Sequence, residues 1–325
     1  MRLTAPLLQV EHLAVSYTTP SGVLRAVRDV SFRIQSGETL ALVGETGSGK
    51  TTVALAAAGL LDYGNQLESG QITFEGRQLD RPGGAGWQEL RSRKIGMVFQ
   101  DARSSLNPVL TIGDHLLETI RSHQDLNRKR ARACATELLA EVGIPDPEYN
   151  MRRYPFELSG GMCQRVGIAL GICNRPRLLI ADEPTSALDP TIQAQILDLL
   201  VELKQRHGLA LLLVSHDLAL VSEFADRVAV MYCGRLVECG PAREIFVHPS
   251  HPYTRGLLES LPGLHQSRES PLRIIPGMPP AAGEELPGCA FAPRCPLAEQ
   301  RCTAAIPAEV TISGDHWAAC LKAGL

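Results

Sequence analysis

Apolar and polar residues alternate over residues 7–15 and again over 30–34, the pattern of half-buried antiparallel strands, with a turn-rich stretch at 18–22 between them. Short apolar runs predict further strands at Thr39–Val43, 71–74 and 95–99, the last two separated by a Gly/Pro/Arg-rich loop around 81–86. From 113 to 143 the period changes to that of a helix, clearest where Ala131, Ala135, Leu138, Leu139 and Val142 recur at steps of three and four. Strands return as Leu178–Asp182 and Ala210–Ser215, continuous apolar runs of the kind covered on both faces in a parallel sheet. A hairpin is expected at Cys233 and Gly234.

This order predicts an α/β domain over residues 1–245 with a β layer ahead of it and a helical insert at about 101–173. Residues 246–325 differ in character: nine of the 22 prolines lie from Pro262 onward, and no long periodic segment remains. A small irregular C-terminal domain with so little apolar density needs a staple.

Composition changes this picture little. Hydrophobic residues at 44% and charged residues at 21% suit a globular protein of 325 residues, and a net charge of −3 gives no reason to expect a nucleic-acid partner. The apolar runs are too short to span a bilayer and the N-terminus lacks a signal-peptide core, so a membrane role would have to pass through a partner. Nine cysteines in the cytoplasmic setting this implies are expected as buried small hydrophobes or metal ligands rather than disulfides.

The chemistry begins between the strand at Thr39–Val43 and an alanine-rich helix, where Gly44, Glu45, Thr46, Gly47, Ser48, Gly49, Lys50, Thr51 and Thr52 stand in order. Glycines let successive backbone N–H groups converge on a phosphate chain, and the helix that follows adds its positive end. The spacing is that of a P-loop, in which Lys50 reaches the β- and γ-phosphates of ATP and the Thr51 hydroxyl ligates Mg²⁺. A glycine turn that binds nothing is the plain alternative, and the Lys-Thr pair between strand and helix speaks against it.

Two later stretches extend the site. Asp182 and Glu183 end a buried strand with adjacent carboxylates, which are costly there unless used; Asp182 can hold Mg²⁺ and Glu183 can polarise an attacking water. Ser159, Gly160 and Gly161 open another helix with a serine cap and glycine amides, a second candidate anion site.

With Leu158 and Met162 flanking those residues, the order of motifs from 7 to 245 resembles the ATP-binding cassette (ABC) ATPases. The resemblance implies a P-loop NTPase fold with a RecA-like core, an antiparallel β layer and an inserted helical subdomain. It also implies that Tyr17 stacks on adenine, Gln100 senses Mg²⁺ and water, Asp189 belongs to a loop at a dimer interface, and His216 meets the γ-phosphate. Taken singly, Tyr17 is also readable as strand packing, Gln100 as a solvated loop residue, Asp189 as a helix cap before Pro190, and His216 as a strand-end histidine. By the same resemblance, two ATPs lie in a head-to-tail dimer, each held by one subunit's P-loop and the other's Ser159, Gly160 and Gly161.

Residues 99–108, 190–199 and 248–254 narrow the likeness to ATPase subunits of dipeptide and oligopeptide importers. Ala102 where proline is usual, Cys163 in place of a basic residue, and Pro190 depart from that pattern without removing a catalytic group. The implied partners are a second ABC ATPase in a heterodimer, two integral-membrane permeases and a substrate-binding protein, with the chain peripheral on the cytoplasmic face of the membrane. An importer for nickel or another small solute is the nearer alternative; a soluble ABC ATPase acting on nucleic acid is the further one. In the tail, the spacing of Cys289, Cys295, Cys302 and Cys320 leaves iron–sulfur, zinc and unliganded thiols open, with His316 a possible fourth ligand to zinc. The peptide-importer resemblance favours a [4Fe–4S] cluster on the four cysteines.

Overall fold

The computed structural model describes residues 5–20, 22–61, 65–79, 84–91, 93–186, 188–261, 274–281, 284 and 286–324. The expected loop around 81–86 and the 186–189 stretch each fall partly outside them. The strands in chain order are β1 (Leu8–Thr19), β2 (Gly22–Ile34), β3 (Thr39–Val43), β4 (Asn65–Phe74), β5 (Arg77–Gln78), β6 (Ile95–Val98), β7 (Leu178–Asp182), β8 (Ala210–Ser215), β9 (Arg227–Tyr232), β10 (Arg235–Pro241), β11 (Val310–Ser313) and β12 (His316–Ala318). The helices are α1 (Lys50–Ala57), α2 (Ala85–Leu90), α3 (Ala102–Ser105), α4 (Ile112–His123), α5 (Arg128–Glu141), α6 (Pro147–Asn150), α7 (Gly160–Ile172), α8 (Pro190–His207), α9 (Leu218–Phe224), α10 (Ala242–Val247), α11 (Pro252–Glu259) and α12 (Gln300–Ala304). They fall into two compact units, one formed by Met1–Leu7, Ile34–Glu38 and Asp80–Val214, the other by Leu8–Arg33, Thr39–Leu79 and Ser215–Leu325.

In the first unit β6, β7 and β8 run parallel, in register from Ile95 opposite Leu178 and from Leu178 opposite Ala210. Every residue of β7 and β8 is buried, as their unbroken apolar sequence requires. The helical insert of this unit is α3 to α7. Thr111 and Asp114 close a reciprocal capping box at the start of α4, and the Thr111 hydroxyl beside it holds the Asp114 carboxyl below its ordinary pKa. One stripe of α5, Ala131, Ala135, Leu138 and Leu139, is buried, the stripe expected from its period. Helix α8 is bounded by rule: Asp189 caps its start with Pro190 in the first turn, and Gly208 ends it in the left-handed region at φ 63°.

The second unit holds the antiparallel layer, in the order β2-β1-β4-β5, with β1 and β4 paired from Leu8 opposite Phe74 to Tyr17 opposite Asn65. Its other strands build outward from β3, which pairs in parallel with β9; β9 forms the expected hairpin with β10, and β10 pairs with β12 and β12 with β11. The tail is thus less irregular than its composition suggests, since Glu238 and Cys239 of β10 pair with Ala318 and Trp317. A fully buried carboxylate is the stitch. Glu238 accepts the N–H groups of Ser250 at 2.7 Å and His251 at 3.0 Å and meets His316 Nε2 at 2.8 Å, which offsets the cost of burying its charge. Phe291 and Ala318 complete the anchorage as buried apolar side chains, the larger worth about 2 kcal/mol.

Candidate nucleotide-binding sites

In the second unit the chain leaves buried β3 and turns through the P-loop into α1. Two of its glycines are required by the backbone. Gly44 has φ 151°, and a Cβ there would lie 2.1 Å from the Met231 carbonyl oxygen; Gly49 has φ 102°, and a Cβ would lie 2.4 Å from that of Ala26. Lys50 is buried and its Nζ donates to the carbonyls of Gly44 at 2.9 Å and Glu45 at 3.0 Å. Ser48 is buried as well, and its hydroxyl has no hydrogen-bond partner among the described residues. A buried hydroxyl and an ammonium beside glycine amides form a donor set that fits a phosphate chain.

Tyr17, half-buried at the end of β1, shares a 2.7 Å hydrogen bond with the Thr52 hydroxyl of α1. The ring is therefore tied to α1. His216 is exposed just beyond β8, and the next residue, Asp217, caps α9 through the N–H groups of Ala219 and Leu220.

In the first unit Asp182 is buried at the end of β7, and Glu183 follows with φ 43°, a left-handed conformation that a glutamate adopts only under restraint, here with its N–H on the Val214 carbonyl at 3.0 Å. Gln100 Nε2 donates to Glu183 Oε2 at 3.1 Å, and the Ser186 hydroxyl donates to the Gln100 carbonyl at 3.1 Å. Two residues 83 apart in sequence are thereby brought together. Asp189 caps α8 by accepting the Ile192 N–H at 3.1 Å, so the capping role is present whatever else this residue does.

Ser159 caps α7, its hydroxyl accepting the Met162 N–H at 3.3 Å. Ser159 and Gly160 are exposed, and a Cβ on Gly160 would make only an ordinary 3.4 Å contact with Leu188. The helix behind them is fixed by buried Val166, Ile168, Ala169 and Ile172, so its first amides are held still.

Two family profiles match the chain. That of the ABC transporter covers residues 27–186, and that of the oligopeptide/dipeptide transporter C-terminal region covers 237–302. The dipeptide transport ATP-binding protein DppD of Escherichia coli is 46% identical over 93% of this chain and 92% of that protein. The chain belongs to the ABC transporter ATPases. The oligopeptide transport ATP-binding protein OppD of Mycobacterium tuberculosis is 45% identical over 99% of this chain and 52% of its own length. Among solved structures, the ATP-binding cassette MJ0796, dimeric in a post-hydrolysis state with ADP and Pi, superposes with a TM-score of 0.66 at 25% identity over 73% of this chain and 99% of that one. The cassette cbiO1 of Clostridium perfringens, part of the ABC transporter complex cbiONQ, gives 0.64 at 30% identity, over 75% of this chain and 92% of that one. The fold is the P-loop NTPase cassette, and the chain is an ATPase coupled to transport.

None of the nine cysteines of this ABC ATPase is in a disulfide. Cys163, Cys173 and Cys239 are buried, and Cys134 and Cys233 are half-buried, which accords with packing roles. The four tail cysteines line one cavity together with His251 and Phe291. Backbone N–H groups of Leu297 and Lys322 donate to the sulfurs of Cys295 and Cys320, both at 3.4 Å, and burial pushes the thiols of Cys289, Cys295 and Cys320 up. Four thiols with amide donors suit a thiolate-held group in their chemistry. Among the described residues, however, no three His, Cys, Asp or Glu side chains come together as a site for a metal ion of any kind.

Sequence reading gave no role to Arg294 or to Glu45 beyond their places in motifs. Their side chains pair across 249 residues, a separation for which no local pattern exists.

Proposed function

We propose that this ABC ATPase powers an importer of dipeptides or oligopeptides. The reading is carried by one co-occurrence: a complete P-loop and strand-end acid pair in the same chain as a C-terminal region, 237–302, of the oligopeptide/dipeptide transporter type. The start of that region also favours a functional boundary near residue 245.

In this reading Lys50, Ser48 and the amides of Gly44 to Thr51 bind the phosphates of ATP, Thr52 supports them, and Tyr17 stacks on the adenine. Thr51, Asp182 and Gln100 would hold Mg²⁺, which would supply charge neutralisation at the phosphates. Glu183, held by the Gln100 amide, takes the proton of the attacking water, and His216 donates to the γ-phosphate. Ser159, Gly160 and Gly161 serve the nucleotide of a second ATPase across a head-to-tail dimer, with Asp189 at that interface, and a heterodimeric partner accords with two different peptide-importer ATPases. Support for the dimer comes from the exposure of Ser159 and Gly160 and from the dimeric form of the MJ0796 cassette.

Two permeases and a substrate-binding protein complete the transporter. Among the described residues no helix is long and apolar enough to cross a membrane; the likeness to peptide-importer ATPases supports a place on the cytoplasmic face, with the bilayer reached through the permeases. Exposed Phe156, stacked on Tyr154 at 5.5 Å in the first unit, gives a permease an aromatic pair to grip.

Glu183→Gln tests the chemistry. It keeps ATP bound while turnover falls by about 10²-fold or more; wild-type turnover removes the role given to Glu183. Competition of labelled dipeptide uptake by unlabelled peptide, and not by nickel, tests the cargo. For the tail we propose a [4Fe–4S] cluster on Cys289, Cys295, Cys302 and Cys320, holding together a segment with little apolar density. Anaerobic purification then yields about four irons per chain, whereas stoichiometric zinc without iron rules the cluster out.

A further inference from the structure

Glu45 places a carboxylate in a loop built to receive a polyanion. Left ionised and unpaired, it would repel the phosphates that the surrounding donors attract. The second unit answers this with one side chain. Arg294 Nη1 donates to Glu45 Oε2 at 2.8 Å and Nη2 to Oε1 at 3.0 Å, a bidentate pair. The same guanidinium is fixed on its other sides: Nη1 also donates to the Tyr232 hydroxyl at 3.1 Å, and Nε donates to the Pro276 carbonyl at 3.1 Å. Its carbon lies 5.8 Å from the Tyr232 ring centroid and 5.9 Å from that of Phe291.

The loop is held at its main chain too. The Glu45 N–H donates to the Tyr253 hydroxyl at 2.9 Å, and Tyr253 packs on Tyr232 and Phe291 with ring centroids 4.5 and 5.4 Å apart. The Glu45 carbonyl in turn accepts from Lys50 Nζ. One P-loop residue therefore connects the phosphate-binding lysine to a buried arginine and an aromatic group, three of whose members, Tyr253, Phe291 and Arg294, come from the C-terminal region 246–325.

We propose that Arg294 is a positioning residue for ATP: it neutralises Glu45 and fixes the P-loop in its phosphate-binding form, so that the C-terminal segment sets the affinity for nucleotide. The inference rests on the P-loop of this chain being its ATP site. It goes further in assigning to a tail residue, which does not touch ATP, a share of the binding affinity.

The test is a titration of the full-length protein with a fluorescent ATP analogue, with thermal melting of each variant alongside. Arg294→Met keeps the bulk among the aromatics and removes the charge; Kd is expected to rise about tenfold or more, with kcat at saturating ATP much less affected. Glu45→Gln with Arg294→Met recovers most of the affinity lost by Arg294→Met alone, a rescue that a purely structural arginine would not show. Lys50→Ala, expected to abolish binding, separates the premises: if it still binds ATP, the P-loop assignment fails. If it loses binding while Arg294→Met keeps the wild-type Kd, or if the double variant binds no better than Arg294→Met, the role of Arg294 fails. Should Arg294→Met not fold, Arg294→Lys replaces it. A single ammonium cannot make the bidentate contact, so Kd rises about threefold, and an unchanged Kd overturns the proposal.

Discussion

Two helices of this chain begin on glycines that face an anion in the proposed function, α1 after Gly49 and α7 at Gly160, and the glycines are there for different reasons. Gly44 and Gly49 are demanded from within, because carbonyl oxygens of Met231 and Ala26 stand where a Cβ would go and both residues have positive φ. The P-loop around them is braced by Lys50, Tyr253 and Arg294. At Gly160 the crowding is slight, whereas a Cβ on the next glycine, Gly161, would lie 2.9 Å from an Ile192 methyl. Ser159 and Gly160 are exposed, and an added Cβ on Gly160 meets one leucine methyl at contact distance. A glycine that its own fold does not need is explained by something that approaches from outside, whereas a glycine enclosed by its own backbone is explained by the loop itself.

The largest effect that would sharpen this contrast is at Gly44. Gly44→Ala forces a methyl against the Met231 carbonyl and is expected to cost about 3 kcal/mol or more of stability and to remove ATP binding, read by urea unfolding and nucleotide titration together. An intact, ATP-binding variant would break the comparison at its first term.

A second difference concerns acid. The brace on the P-loop passes through α11, where His251 Nδ1 accepts the Tyr253 N–H at 3.1 Å. Burial lowers the pKa of His251 from 6.5 to about 4. The unfolded chain then binds the proton first, so the stability His251 protects is complete above about pH 6.5 and is lost as the pH falls toward 4, by about 3 kcal/mol. Urea unfolding at pH 7 and at pH 4.5 should show this loss in the wild type and much less of it in His251→Gln. Equal losses in both would detach the acid response from the brace.

The sequence disclosed most of the cassette because its signals are local. An apolar run that ends in two acids, a lysine and threonine after a glycine loop, and a serine before two glycines each carry their chemistry within a few residues, and β7, α1 and α7 stand where those signals put them. The hydrogen bond of Gln100 to Glu183 was not legible, since nothing in either segment points to the other. What was not legible is the way the tail is attached. Low apolar density and nine prolines after residue 261 suggest an irregular appendage, yet β12 joins β10, and the buried contacts of Glu238 and Arg294 hold the tail in the same unit as the P-loop. Each of those attachments relies on a partner far away in the chain, and a carboxylate or guanidinium gives no periodic sign of where its partner lies.

The central claim, that the glycine start of α7 serves a nucleotide held by another subunit, is tested most directly by Gly160→Asp. An acidic residue in the first turn favours the helix by about 0.3–1 kcal/mol and repels a phosphate, so folding and function should move in opposite directions. The account predicts an unchanged or slightly higher melting temperature, an ATP affinity of the isolated chain within about twofold of wild type, and turnover in the assembled ATPase reduced by about 10²-fold or more. A variant that loses ATP affinity as an isolated chain, or one that hydrolyses ATP at the wild-type rate, would contradict it.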